Sequence, residues 1–261
     1  MNKFLDILNA AYKFVETGAD VSWVRRFTAL GKAYLSGVES DITYVPNKKD
    51  LSEALQNKIM SAQRAAGKIR SKSTVISCGF GAMARPSVFF KALKFIAEKN
   101  KSPLRLTWVT VSAAGARGRA AGSLEDLAIP GLIERYITGH VETVKAFVPL
   151  VSGGQMAWDM LPQGVITQVL VAQAQNKNFV ETETGLGTYV EKQIDDGATN
   201  LVTRSGDKLR YTLPRIGVAI VVAASVDNEG NISAEGAASL TEMADAARAA
   251  EGPGIFREGA P

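Results

Sequence analysis

The stretch TVISCGFGAMARP, residues 74–86, holds the spacing with the clearest chemical use. Gly79 and Gly81 flank Phe80 directly after the apolar pair Val75–Ile76, and Pro86 follows shortly after. Glycines so placed allow a tight turn with positive φ. Proline suits the first turn of a helix, where its missing N–H is not needed. A strand, a glycine turn and a helix start aim backbone N–H groups at one point, where they can hold an anion or a developing oxyanion. Arg117 and Arg119 stand in a glycine- and alanine-rich stretch, SAAGARGRAAG at 112–122, and carry the planar donor fork that fits phosphate. One histidine, His140, is too few for a histidine metal cluster, so no metal is expected. One cysteine, Cys78, excludes an internal disulfide and reads as a small packed residue. The adjacent pair Asp195–Asp196 reads as a solvated turn.

These residues need a scaffold, and 261 residues that are 46% apolar can bury a sizeable core. The net charge of +4 belongs to the front of the chain: residues 1–72 hold 12 Lys and Arg against 7 Asp and Glu, and the remainder 18 against 19. The basic residues are interleaved with apolar ones, which argues against nucleic-acid binding and for a surface meeting a partner or an anion. The longest apolar run, 217–226, is far too short to span a bilayer. Charges mixed into the first residues do not fit a signal peptide. The expectation is a cytoplasmic protein without a membrane partner.

Residues 1–45 read as two amphipathic helices, the second with Trp23, Phe27 and Tyr34 as an aromatic stripe. Asp50 and Glu53 form a capping-box pattern for a third. Ser61 is placed to cap a helix through Ala65, Ala66 and Ile69. Val75 and Ile76 read as a short buried strand starting at 74, 104–111 as a second strand, and Val88, Phe89, Leu93 and Ile96 as one face of a helix. Leu124–Arg135 reads as a helix disturbed by Pro130 and Gly131, RYITGH at 135–140 as a short strand into a turn, and 165–175 as a helix. Residues 199–204 and 208–213 flank Ser205-Gly206-Asp207 as a hairpin. The continuous apolar run 216–225 reads as a strand covered on both faces. Asn231 is expected to close a turn, and residues 237–250 read as a helix. Strands alternating with helices argue for an α/β fold, a mostly parallel sheet with helices on both faces.

Several stretches in order resemble the class I coenzyme A transferases, in their first or α half, with most similarity to the propionate and short-chain acyl transferase branch. That half carries Gly-Gly-Phe-x-x-x-Gly-x-Pro after its first strand; here it stands as Cys78, Gly79, Phe80, three residues, Ala84, Arg85 and Pro86. LTWVTVSAAGARGRAAG, LPQG at 161–164, GLGTYVE at 185–191 and DNEGNIS at 227–233 follow in the family's order. The resemblance covers residues 58–250, leaving 1–57 as a helical N-terminal extension and 251–261 as a tail. It departs from the family at Cys78 and Ala84, which replace glycines, and in lacking the glutamate signature of the β half.

The resemblance implies an enzyme that moves coenzyme A between an acyl-CoA and a small carboxylate, with coenzyme A as substrate and no tightly bound cofactor. In the family a glutamate attacks the thioester; the expected arrangement is an α subunit whose nucleophile is supplied by a separate β subunit. Gly79, Phe80 and Gly81 would form the thioester loop. Gln163 would lie near the acyl group, and Arg117, Arg119, His140, Gly185 and Gly187 would contact coenzyme A or substrate. Glu183 is the catalytic carboxylate candidate within this chain. Two alternatives share the fold: an acyl-CoA hydrolase or lyase, and a non-catalytic sensor of phosphorylated metabolites.

Overall fold

The computed structural model describes residues 42–43, 52–79, 85–112, 114–117, 122–222, 225–228, 232–233, 248 and 250. All but residues 42–43 of the stretch 1–45 expected as two helices, together with Phe80, Gly81, Ala84, Arg119, Asn231 and the tail, lie outside them, as does nearly all of the helix expected over 237–250.

Short apolar segments set the centre. Strands β1 (Thr74–Ser77), β2 (Leu106–Thr110), β3 (Ile133–Thr138), β4 (Ala157–Met160) and β8 (Val218–Ile220) form a parallel sheet in the order β4-β3-β2-β1-β8. Alternate residues point to opposite faces. Val75, Leu106, Trp108, Ile133 and Tyr136 enter one core with Phe89, Phe90 and Leu93. Ile76, Val109 and Ile137 enter a second with Val165, Ile166, Val169 and Leu170. Val218 packs on the first core and Ala219 on the second, so β8 is covered on both faces as expected.

The connections follow from those faces. Between β1 and β4 the chain crosses on the first face through α3 (Ser87–Asn100), a 3-10 turn (Leu124–Leu127) and α4 (Val148–Ser152). It then changes face through α5 (Gln163–Ala174) and a three-stranded antiparallel sheet, and returns as β8 beside β1. Strand order thus reverses between β1 and β8, and the carboxyl ends beside such a reversal are where open α/β sheets bind ligands.

Local chemistry fixes the helix boundaries. The short α1 (Glu53–Gln56) begins after Ser52, a position nearer than the expected Asp50. Ser61 Oγ accepts the Arg64 N–H at 3.3 Å and opens α2 (Ala62–Ala66). Pro86 precedes α3, which buries Phe89, Phe90, Ala92, Leu93 and Ala97, and Phe90 meets Trp108 edge-on at 6.0 Å. Thr188 caps α6 (Tyr189–Asp195) by accepting the Val190 N–H. Of the N-terminal stretch, Ile42 and Leu55 are buried, and Ile42 is part of the first core.

Three expectations are corrected. Leu124–Arg135 is not one helix: the 3-10 turn ends at Leu127, Gly131 takes φ +80°, and β3 begins at Ile133. The apolar run 216–225 gives only three residues of β8, because β1 offers it three pairing partners. Asp195 is the last residue of α6, and its carboxylate takes a two-bond contact from Arg204 at 2.8 and 3.1 Å.

The antiparallel sheet joins β5 (Phe179–Thr182) to the hairpin of β6 (Val202–Ser205) and β7 (Lys208–Thr212). One buried carboxylate ties it to the parallel sheet. Asp159 of β4 accepts two bonds from Arg135 of β3, at 2.7 and 3.0 Å, and one from the Thr199 hydroxyl at 2.6 Å. Arg135 also donates to Asn200 Oδ1 at 2.8 Å, next to the entry of β6. A two-residue antiparallel pair, β9 (Ser225–Val226) and β10 (Ile232–Ser233), follows β8. Among the described residues no helix is long and apolar enough to cross a membrane.

Candidate functional site

The carboxyl edge of the parallel sheet carries the first group of expected site residues. At the end of β1, Gly79 is buried with φ +127°, a conformation that side chains rarely tolerate. Cys78 just before it continues the pairing with β8 by donating its N–H to the Ile220 carbonyl at 3.0 Å. Its sulfur accepts the Val222 N–H at 3.3 Å. A thiol thus stands where the related motif has glycine and fastens the two strand ends across the order reversal.

The turn after β3 is held by a one-way hydrogen-bond chain. Each hydroxyl has one hydrogen to give. Thr110 gives its hydrogen to Thr138 at 2.9 Å, and Thr138 gives its own to the His140 carbonyl at 3.2 Å. Tyr136 therefore donates to Thr110, at 2.9 Å. Burial pushes the Tyr136 hydroxyl up to about 12, against the lowering effect of its hydroxyl neighbours. The folded-state value lies above the ordinary 10.0, so this contribution to stability is complete below pH 10 and is lost as pH rises toward 12. Tyr136→Phe is expected to cost about 1–2 kcal/mol at neutral pH by leaving Thr110 short of a donor. Because Phe does not titrate, the deficit should narrow when urea midpoints are compared at pH 8 and about pH 11. Tyr211, also raised to about 12 by burial and by Glu191, would retain its own alkaline dependence.

Gly139 follows this chain, where three elements meet. A Cβ there would lie 2.1 Å from Gln163 Cγ, 3.1 Å from Gln163 Cα and 2.9 Å from the Val111 carbonyl oxygen. Absence of that carbon lets Gln163, the first residue of α5, rest on the ends of β2 and β3. Gln163 makes no side-chain cap of α5, which starts after Pro162. Its side chain is exposed.

The loops after β2 and β3 are docked on each other. A Cβ on Gly115 would fall 2.0 Å from the Thr143 carbonyl oxygen, and Arg117 donates its N–H to that same oxygen at 2.9 Å. Glu142 lies between two expected site residues, 3.3 Å from Arg117 Nη2 and 3.6 Å from His140 Nε2. The other ring nitrogen of His140, Nδ1, is buried with no hydrogen-bond partner. Sequence reasoning passed over Glu142; its only signal is its place two residues after the Gly139–His140 turn.

The second group sits on the antiparallel sheet. Glu183 follows β5, is exposed, and its backbone carbonyl accepts the Leu186 N–H at 3.1 Å. Gly185 has φ +99°, and a Cβ there would stand 2.3 Å from the Tyr211 hydroxyl. Gly187 has φ +67° and donates its N–H to Glu191 Oε2 at 2.8 Å, completing the cap of α6. Sharp turning and close packing account for both glycines. Gly79, Arg117, His140 and Gln163 thus share the parallel-sheet edge, whereas Glu183, Gly185 and Gly187 form a separate turn.

A family model described as coenzyme A transferase matches residues 58–252. Caffeate CoA-transferase of Acetobacterium woodii is 30% identical over 207 residues, which are 76% of this chain and 39% of that protein. The crystal structure of the acyl-CoA transferase YdiF from Escherichia coli O157:H7 aligns with a TM-score of 0.59 at 23% identity, covering 66% of this chain and 35% of that one. Glutaconate coenzyme A-transferase of Acidaminococcus fermentans aligns with a TM-score of 0.55 at 20% identity, covering 74% and 64%. The chain spans well under half the length of the curated relatives it matches.

Proposed function

The chain belongs to the coenzyme A transferase family, and from that membership we propose that it is the α subunit of a heteromeric enzyme moving coenzyme A from an acyl-CoA to a small carboxylate. The observation that carries the reading is Gly79, held at φ +127° at the end of β1, beside the reversal of strand order. Backbone N–H groups of the segment Gly79, Phe80, Gly81 would stabilise the tetrahedral oxyanion of the thioester. Gln163 would face the acyl group, and Arg117, Arg119 and His140 the anionic parts of the substrates.

The chemistry needs a carboxylate nucleophile, which in this reading is a glutamate of the β subunit. It adds to the thioester carbonyl and expels coenzyme A as thiolate, leaving an acyl-glutamyl anhydride. The thiolate then adds to the glutamyl carbonyl and releases the first carboxylate, leaving a glutamyl-CoA thioester. The acceptor carboxylate repeats the sequence in reverse and leaves as the new acyl-CoA. Backbone donors held at the oxyanion position would lower each addition barrier without reorganising.

The test is exchange of labelled acetate into acyl-CoA. The chain alone should exchange nothing above background, and addition of a β subunit should restore turnover. Glu183→Ala should leave the reconstituted rate within about twofold, as for a residue outside the chemistry. Turnover by the chain alone would overturn the divided enzyme, and loss of it in Glu183→Ala would make Glu183 the nucleophile. Thioester loss without an acceptor carboxylate would turn the assignment to a hydrolase.

A further inference from the structure

The corner where α3 begins holds basic groups that the proposed transfer chemistry leaves unused. Arg85 precedes α3 in the position before Pro86, and its Nε donates to Ser87 Oγ at 3.2 Å. That bond fixes the plane of the guanidinium. Its Nη1 is fully buried and has no hydrogen-bond partner. One turn further on the same helix face stands Lys91, and the backbone of Gly122 lies against both residues. A Cβ on Gly122 would be 2.9 Å from Ser87 Cβ, 3.3 Å from Ser87 Oγ and 3.4 Å from Lys91 Cε. Next to Gly122, Ser123 is only 1% exposed, and its hydroxyl also lacks a partner.

The nearby carboxylate does not neutralise this corner. Asp126 accepts the Gly122 N–H at 2.6 Å and lies 3.7 Å from Lys94. Glu125 is turned to the backbone N–H groups of Ala116 and Ala146, both at 3.1 Å. Neither Arg85 nor Lys91 has an ion-pair partner among the described residues. A half-buried guanidinium with an unmet N–H is unfavourable unless an anion completes it. Nor does α3 carry an acidic residue in its first turn or a capping side chain, so the positive end of its dipole adds to the same field.

We infer that Arg85, Ser87 and Lys91 form a binding site for an oxyanion at the start of α3. Nε of Arg85 is held by Ser87, and the buried Nη1 keeps donor hydrogens that no protein group takes. Ser87 still has its own hydroxyl hydrogen to donate, and Lys91 supplies the second charge. The oxyanion has two chemical sources: a carboxylate of a small organic acid, or a phosphate group. The site stands on this geometry alone and needs neither a β subunit nor turnover.

Isothermal titration of the full chain at constant ionic strength, with acetate and with inorganic phosphate in separate arms, tests it. One of the two should bind saturably, and the arm that binds identifies the source. Arg85→Gln should weaken that anion about tenfold or more, and Arg85→Lys by less than that, since it keeps charge and loses the fork. Lys91→Met should weaken it about threefold as a point charge is removed. Thermal unfolding without anion controls for the fold, and Arg85→Gln should be no less stable than the parent. Absence of saturation by either anion below about 50 mM, or equal affinity in Arg85→Gln, overturns the site.

Discussion

Gly139→Ala is expected to destabilise the protein by about 2–3 kcal/mol and to displace the start of α5. The argument is one of space. The backbone of Gly139 needs no positive φ, so an alanine there is not strained by its own dihedrals. Its methyl group would instead overlap Gln163 Cγ at 2.1 Å and press on the Val111 carbonyl at 2.9 Å. Gln163 Cγ can swing away, but Gln163 Cα at 3.1 Å and the Val111 oxygen are backbone. Relief therefore moves the first turn of α5 away from the ends of β2 and β3. In a reconstituted transferase the same change should lower kcat/KM by at least about tenfold, since Gln163 moves with α5. Gly164→Ala is the matched control: nothing lies within 4 Å of its Cβ position, and alanine favours a helix. It should be neutral or stabilising in urea, so equal losses in the two variants would refute the spatial argument.

Asp159→Ala should have the larger effect on stability, about 3–5 kcal/mol, because it strands a charge inside the protein. Asp159 is 2% exposed and satisfies Arg135 twice and Thr199 once. Without it, Arg135 keeps only its bond to Asn200, and the Thr199 hydroxyl loses its acceptor. Replacing Arg135 and Asp159 together by methionine and leucine should recover a good part of the loss, since an apolar pair leaves no uncompensated charge. Urea unfolding of the single and double variants measures the coupling. A single-variant loss below about 1 kcal/mol would mean that the buried pair does not hold the two sheets together.

The parts of the fold that could be read from the chain are those where one periodicity covers a whole element. Val75–Ile76, the helical spacing of Phe89 and Leu93, the apolar stretch in 165–175 and the turn at Gly206 each match their elements. Strand β4 gives no such signal. It is four residues long, and its buried position is the carboxylate of Asp159, so a polar residue stands where a strand pattern calls for an apolar one. At Leu124 and Leu127 helical spacing belongs to a single 3-10 turn, and Ile133 belongs to the next strand. Pro130 and Gly131, read as a disturbance, are the boundary.

Candidate site positions are legible where a backbone need selects the residue type. Gly79 stands out because positive φ favours glycine, whereas the need for glycine at Gly139 shows only where Gln163 and Val111 close on it. The same logic points to Gly185 and Gly187, whose turns also serve the packing of Tyr211 and the cap of α6. Contacts between loops, such as Glu142 with Arg117 and His140, carry no local pattern and emerge only when β2 and β3 lie side by side.

The seat of β8 beside β1 also bears on how the protein is made. The sulfur of Cys78 meets an N–H from a residue 144 positions later, and the flank of β1 away from β2 is paired by β8. While the chain is being synthesised, that flank stays bare until Val218–Ile220 has left the ribosome. An unpaired apolar strand is a template for association with other chains. Slow translation between codons 80 and 218 would therefore lengthen the window in which nascent chains need a chaperone.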